Sequence, residues 1–537
     1  MSKTTDLLDR YRRLKDARRL WDAHWQDIAE VMLPQRADFT ATQAPGAKRT
    51  DAIFDGTPLL AVRGLAAAID GMVKPKTTRW FSIKASDGDL NENDAVKAWL
   101  EQVEAATFAA IYDRRAGFVQ RSGEVDADLA AFGTGALLIS ENRTLDGLSF
   151  RSVPLHGLYL AEGEAGDIDT AFLRLDLTAR QAAQRWGREK LSDPARDALG
   201  GNRPDQRFEF VHAILPRAER DPRRRDNRNL PFASIVVDVA AAHTVSESGF
   251  HEFPLAVPRW DTRTGEVYGR SPGMLALPDA LTLQQMGKTI LKAGQKAVDP
   301  PIIAPNDGLI KSAQLFPGGV VTYDARNAVK LGGRKPIDTL DITGNIPIGR
   351  EMQQDVREQI FAAFFRNVLN LPVDRPTMTA TEVIERKEEF VRTVGPVFGR
   401  LENDYAGPVA ERVFAILLRL GRFPPPPPVL QGREVRFEYA SPVQKVRQQI
   451  ETLGAMRTVE MIAPFVQANP EIMDNFDADA IARAAGAFNG MPQRWIRRQG
   501  DVEALRTARL RALQGEEEKM DAERFIDATA KVAGAQG

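Results

Sequence analysis

The sequence predicts a predominantly helical α+β protein, and three observations carry that prediction. Two long patterns of helical period, at 271–299 and 346–369, flank a stretch rich in Gly and Pro. Between Gly133 and Trp260 the apolar period shortens to that of strands set off by Gly and Asp. After the second helix, Asn370-Leu-Pro-Val-Asp-Arg-Pro-Thr-Met-Thr379 interrupts the pattern through Pro372 and Pro376. A further helix then opens on Thr379-Ala-Thr-Glu382, spelled as a capping box.

In chain order, residues 4–33 read as one charged amphipathic helix through Leu7, Leu8, Tyr11, Leu14, Leu20, Trp21, Trp25, Ile28, Val31 and Met32, stopped by Pro34. An alanine-rich helix follows at 57–73, then a short strand at 79–84 and helices at 91–115 and 117–132. Strands are expected at 136–140, 148–153, 158–160 and 171–176, a helix at 177–186, and strands at 208–215, 234–239 and 253–260. Residues 217–228 carry six arginines and three acids; such a basic run could touch nucleic acid, but with no aromatic between them for stacking a solvated hairpin tip is the better reading.

Ser271-Pro272 is a cap followed by proline in the first turn, so a helix should start there and run to about Val298, kinked at Pro278. The second helix places Ile348, Met352, Val356, Ile360, Phe364 and Val368 at four-residue spacing, with Phe361 and Phe365 widening the stripe. Each helix would be roughly 36–42 Å long at about 1.5 Å per residue. If 300–345 returns the chain, the two pack antiparallel with a small domain at the tip. Beyond them come five prolines at 424–428, a strand at 435–439, helices over 443–500 and a charged helical tail at 501–537.

Charge and composition narrow the function. Lys+Arg (72) and Asp+Glu (73) nearly cancel, so there is no global field for gripping nucleic acid, though a conduit for DNA needs none. Cysteine is absent, which removes disulfides and thiolate metal sites. No signal peptide is expected from the charged N-terminus, and no apolar run reaches the ~18–20 residues of a membrane span.

Catalytic motifs fail on inspection. The five histidines are scattered without helical zinc spacing. Gly287-Lys-Thr289 ends like a P-loop, but Thr282 stands where its first glycine belongs. Gly133-Thr-Gly135 lacks a third glycine and suits close backbone packing or a turn. Gly269-Arg-Ser-Pro-Gly273 spells a serine elbow, yet Pro272 has no N–H for an oxyanion hole, so Ser271 reads as a helix cap. The calcium-like Asp87-x-Asp89-x-Asn91 has Glu92 where glycine is required. Glu124, Asp126 and Asp128, or Asp51 with Asp55, could hold Mg²⁺ for a nuclease, but a salt-bridged surface is the better reading. No metal, cofactor or enzymatic activity is expected.

An ordered set of short segments runs along nearly the whole chain. Near the N-terminus stand Trp25…Ile28…Pro34-Gln-Arg36, Ile53-Phe-Asp-Gly-Thr57…Leu65-Ala-Ala-Ala68 and Trp80-Phe81. The set continues with Phe132-Gly-Thr-Gly-Ala136, Val153-Pro-Leu155, Gly166-Asp-Ile168 and Tyr268-Gly-Arg-Ser-Pro272. Its most specific piece is Met378-Thr-Ala-Thr-Glu-Val383, followed by Gly395-Pro396, Arg400-Leu401 and Tyr439-Ala-Ser-Pro442. In these segments the chain resembles the portal, or head-to-tail connector, proteins of short-tailed, podovirus-type tailed bacteriophages.

The resemblance implies a plan and a set of partners. Residues 1–270 would be N-terminal helices and an α/β wing, 271–299 and 346–369 two stem helices, 300–345 a clip, and 370–379 a tunnel loop. A long wing helix and returning strand would fill 380–442, with a helical crown at 443–500 and a tail at 501–537. A homo-oligomeric ring of about twelve subunits would surround double-stranded DNA at one vertex of the virion. Asn370, Asp374, Arg375 and Thr377 would approach that DNA weakly, unless 370–379 is merely an interhelical turn. Ile360, Phe361, Phe364 and Phe365 would pack the stem against neighbouring subunits or against the wing. In the clip, Lys311, Arg326, Lys330, Arg334 and Lys335 would dock the large terminase and later a tail adaptor. Major capsid, scaffolding and internal ejection proteins are the other implied partners, with no membrane. The alternatives are a non-portal structural or scaffold protein of a virion and a metal-dependent nuclease using Asp51, Asp55 and Asp126.

Overall fold

The computed structural model describes residues 3–298 apart from positions 43, 45, 143, 145, 146, 222 and 225. It further describes 302–303, 338–339, 346–366, 392–393 and 395–439, and in the C-terminal part chiefly 454–465, 474–488 and 500–515. The expected tunnel loop at 370–379, most of the 300–345 segment and the residues beyond 515 lie outside the described residues. The chain divides into two compact units, Met1–Pro442 and Val443–Gly537.

The N-terminal helix expected over 4–33 is two helices, α1 (Lys3–Ala17) and α2 (Arg19–Met32). They meet at Arg18, where φ −85° and ψ −7° relax the helix without reversing it. The interruption lets the buried Arg18 guanidinium donate to the carbonyls of Leu155, His156 and Leu158, pair with Asp22 at 2.9 Å and lie 4.0 Å from the Tyr159 ring. Helices α3 (Thr57–Val73), α4 (Asp94–Ile111) and α5 (Phe118–Phe132) follow the predicted order. Asn93 caps α4 by accepting from Ala95 and Val96.

Strand β1 (Phe81–Ala85) precedes α4, and β2 (Leu137–Glu141) with β3 (Leu148–Ser152) follows α5. The next strands, β4 (Leu158–Glu162), β5 (Ile168–Thr178), β6 (Arg207–Pro216), β7 (Phe232–Asp238) and β8 (His243–Phe250), form one antiparallel meander in that order. Alternation divides its two faces. Val211, Ala213, Ile235 and Val237 join Tyr159 and Phe172 beneath Leu7, Leu8 and Tyr11 of α1. Phe210, Val236 and Val245 point the other way, onto α6 (Ala179–Trp186) and α7 (Asp193–Gly200). Thr178 and Gln181 close a reciprocal capping box where β5 becomes α6. The strand expected at 253–260 shrinks to β9 (Leu255–Ala256), because Pro254 and Pro258 lack the N–H groups that would extend the ladder. β9 pairs with β2 to complete the sheet β3-β2-β9.

Helix α8 (Pro272–Val298) runs without interruption through Pro278, so the expected kink does not divide it. Short strands β10 (Ile302–Ile303) and β11 (Asp338–Thr339) pair with each other. Helix α9 (Ile346–Ala363) stops short of the predicted 369: Phe365 turns the chain at φ +59° and lays its ring 5.9 Å from Trp260. A later helix passes through a π turn at Glu402–Ala406 into α10 (Gly407–Arg419). There Gly407 N–H reaches back to Glu402 O, and the next residue, Pro408, has no N–H to offer. Finally β12 (Val435–Tyr439) returns to pair antiparallel with β1, Phe81 opposite Tyr439 and Ala85 opposite Val435. In the second unit, α11 (Ala478–Phe488) is linked to the helical stretch 500–515 by Arg506 and Asp479 at 2.6 Å. Among the described residues, no helix is long and apolar enough to cross a membrane.

Candidate functional site: the seat of the helix pair

Four of the blocks that carry the family resemblance, at Trp25, 53–57, 132–136 and 268–272, meet around α8. At the root of α8 two glycine-bearing turns cross. Gly133 ends α5 with φ +79°, and a Cβ there would overlap the Gly269 carbonyl oxygen. A Cβ on Gly269 would overlap Gly133 O in return. Only hydrogen fits on both sides. Thr134 Oγ1 accepts from Gly269 N at 2.8 Å, and Trp260 N donates to Gly133 O at 2.9 Å. Ser271 Oγ donates to Ala131 O at 2.7 Å and accepts from Met274 N at 2.9 Å, so the residue expected as a cap also ties α8 to α5. Gly273 lies so near that a Cβ would come within 2.5 Å of Ala131 O. Trp25 covers this crossing: its indole donates to Phe132 O at 3.1 Å and its ring stands 5.1 Å from Tyr268.

Halfway up α8, a second joint is built from the Ile53–Thr57 block. Buried Gln284 accepts from Phe54 N (2.7 Å) and Asp55 N (2.9 Å) and donates to Asp55 O (2.8 Å). The Asp55 carboxylate accepts from Thr57 N (2.9 Å) and Thr57 Oγ1 (2.6 Å) just ahead of α3. Arg357 of α9 closes the joint with Nε and Nη2 on Asp55 Oδ2 at 3.0 and 2.8 Å. Burial alone would raise the Asp55 pKa, but the Thr57 hydrogen bonds and Arg357 outweigh it and hold the carboxyl below its ordinary value. One loop therefore grips both long helices.

The pair is antiparallel. A Cβ on Gly287 would lie 3.5 Å from Gln353 Nε2, and one on Gly349 would lie 3.3 Å from Ile290 Cδ1. Positions climb one helix as they descend the other. These small residues let the backbones approach closely.

The apolar stripe of α9 splits in two. Ile360 and Phe364 are fully buried within this chain. Phe361 is half-buried with Arg366 4.0 Å over its ring, and Phe365 rests on Trp260. Toward the other end, Ile348 and Met352 are exposed, as are Leu275, Leu281 and Leu291 of α8. The tunnel-loop residues Asn370, Asp374, Arg375 and Thr377 lie outside the described residues, as do the clip cations Lys311, Arg326, Lys330, Arg334 and Lys335.

The acids weighed as metal ligands are dispersed onto cations. Asp51 pairs with Lys48 and Asp55 with Arg357. Asp126, wholly buried, meets Lys74 Nζ at 2.6 Å, and burial still lifts its pKa to about 6. Asp128 pairs with Arg36 Nε at 3.2 Å, and burial pushes it up to about 7. Glu124 shares Arg36 and Arg121. Among the described residues, no three His, Asp or Glu side chains come together as metal ligands would. Gln284 and Arg357 escaped sequence reasoning, since a lone glutamine or arginine on a helix carries the same signal as a solvated one.

The described residues set an antiparallel helix pair on a mixed α/β frame, an α+β fold. The chain belongs to the bacteriophage head-to-tail connecting protein family, whose model matches residues 4–496. It is 30% identical over 519 residues to the portal protein of Salmonella phage epsilon15, covering 95% of this chain and 91% of that one. It is 29% identical over 536 residues to the probable portal protein of Bordetella phage BPP-1, covering 98% and 94%. A chain in the neck of an empty GTA particle is similar at a TM-score of 0.34 and 11% identity, over 76% of this chain and 88% of that one. That likeness is too weak to build on.

Proposed function

We propose that this chain is a phage portal, a non-enzymatic ring of about twelve copies at one capsid vertex. The ring would admit double-stranded DNA during packaging by the large terminase, release it at ejection and seat the tail. One observation carries the reading. The α8–α9 pair is clamped to its own frame at two joints, yet Leu281, Leu291, Ile348 and Met352 remain exposed on it. In a ring the next copy covers those side chains, with Phe361 at the edge of the contact, while polar faces turn to the axis. Residues 370–379 would then reach the duplex through Asn370, Asp374, Arg375 and Thr377. The cations of 300–345 would face the motor and later the adaptor. Native mass spectrometry with negative-stain imaging tests the proposal: a closed ring with an axial hole is expected, and a monomer or filament overturns it.

A further inference from the structure

From the loop joining β6 to β7 we infer a second contact with nucleic acid, a phosphate-binding point on the edge of the five-stranded sheet. Strand pairing ends at Pro216 opposite Phe232, so the described residues 217–221, 223–224 and 226–231 lie beyond the ladder. The loop is held at its base. Arg217 N donates to Pro231 O, and the Arg217 guanidinium donates to Glu247 Oε1 at 3.1 Å and Ser248 O at 3.0 Å. The loop folds across Gly249 of β8, where a Cβ would come within 2.7 Å of Asn227 O.

At the tip Asp221 and Asp226 hydrogen-bond within the loop, while Glu219 is exposed. Asp221 Oδ1 accepts from Arg223 N at 3.0 Å. Asp226 Oδ1 accepts from Arg228 N at 3.1 Å and Asn229 Nδ2 at 2.8 Å. These turns fix the shape and leave the guanidinium groups outside. Arg220, Arg223 and Arg228 are exposed and form no ion pair with another described residue, and Arg224 has only Asp221 at 4.0 Å. In a chain whose formal net charge is −1, this is a local concentration of cations rather than part of a general field.

The surroundings favour a phosphate backbone over an acidic protein. A protein partner needs apolar anchors in the centre of its contact. Among the described residues, none of the exposed large apolar side chains falls between Val119 and Leu275. A contact made by arginine alone, without aromatics for base stacking, suits the sequence-independent phosphates of a duplex. The site does not depend on ring closure and lies on a different element from the helix pair, so it goes beyond the channel reading.

The test uses the full chain and closed circular duplex DNA, which has no end to thread through a ring. Binding is measured by filter retention across a salt series for wild type and R220Q/R223Q/R224Q/R228Q. At about 0.9 per phosphate contact, the slope of log affinity against log salt should shrink by about 3, with at least a tenfold loss of affinity at low salt. Circular dichroism and negative-stain images should match wild type. An unchanged slope overturns the inference, as does absence of wild-type binding. Polyglutamate competing as well as duplex at equal charge would also overturn it, in favour of an acidic protein ligand.

Discussion

Replacing Gln284 with leucine tests whether the Ile53–Thr57 loop holds the helix pair. Leucine keeps most of the side-chain volume but removes one amide that makes three hydrogen bonds. Phe54 N–H lies near the surface and can turn to water. Asp55 N–H and C=O are buried and lose their partner outright. An unpaired buried backbone group costs about 1–3 kcal/mol, so the two together should loosen the loop by about 2–6 kcal/mol. Local opening of that size raises amide exchange by about 30-fold at the low end and by more than about 10,000-fold at the high end, at about 1.36 kcal/mol per factor of ten. Hydrogen exchange with mass spectrometry on the purified chain reads this directly over residues 53–57. The neighbouring Gln285, whose side chain is exposed, supplies the control. Gln285→Leu should leave the same amides unchanged. If Gln284→Leu keeps exchange within about threefold of wild type, the joint is ornamental and the clamp reading fails.

Three further outcomes are expected. Lys74→Met strands the Asp126 carboxylate in a buried site and should cost about 3–5 kcal/mol in chemical denaturation, while adding Asp126→Asn should recover more than half of the loss. Asp128 holds its proton up to about pH 7 in the folded protein, whereas an unfolded aspartate releases it near 3.9. The folded state binds the extra proton between those values, so stability falls as pH rises through that window, and Asp128→Asn should flatten the melting-temperature profile there. Gly269→Ala drives a methyl into the Gly133 carbonyl and should destabilise by about 3 kcal/mol, whereas Gly71→Ala, on open helix surface with nothing within 4 Å, should gain about 0.5–1 kcal/mol in the same thermal assay.

Local chemistry was the legible part of the fold. Ser271-Pro272 announced the start of α8 because a cap and a first-turn proline act within a few residues of themselves. The 57–73 helix and four of the five meander strands, β4 to β7, were readable from period alone. Long-range pairing was not. Both β1 and β12 read as strands, but nothing in either says that Ile83 will face Phe437. Nothing in the sequence marks Arg18 for burial, because sequence cannot distinguish solvent from a ring of carbonyls. Strand β8 was missed because Ser246, Ser248 and Gly249 dilute its apolar alternation. The early end of α9 was hidden too, since phenylalanine rarely takes the left-handed turn that Phe365 adopts. At the seat of the helix pair, Gly133-Thr-Gly135 and Gly269-Arg-Ser-Pro-Gly273 were each visible, and Ser271 was rightly taken as a cap. That the two motifs interlock was visible in neither.

The antiparallel run of α8 and α9 also has a use for engineering. Because Val298 and Ile346 line one common cavity, the chain leaves and re-enters its frame at neighbouring points. Whatever occupies residues 299–345 is thus plugged into a two-pin socket whose geometry is set by Gly287, Ile290, Gly349 and Gln353. A segment of different length or origin could be exchanged there without disturbing the sheets.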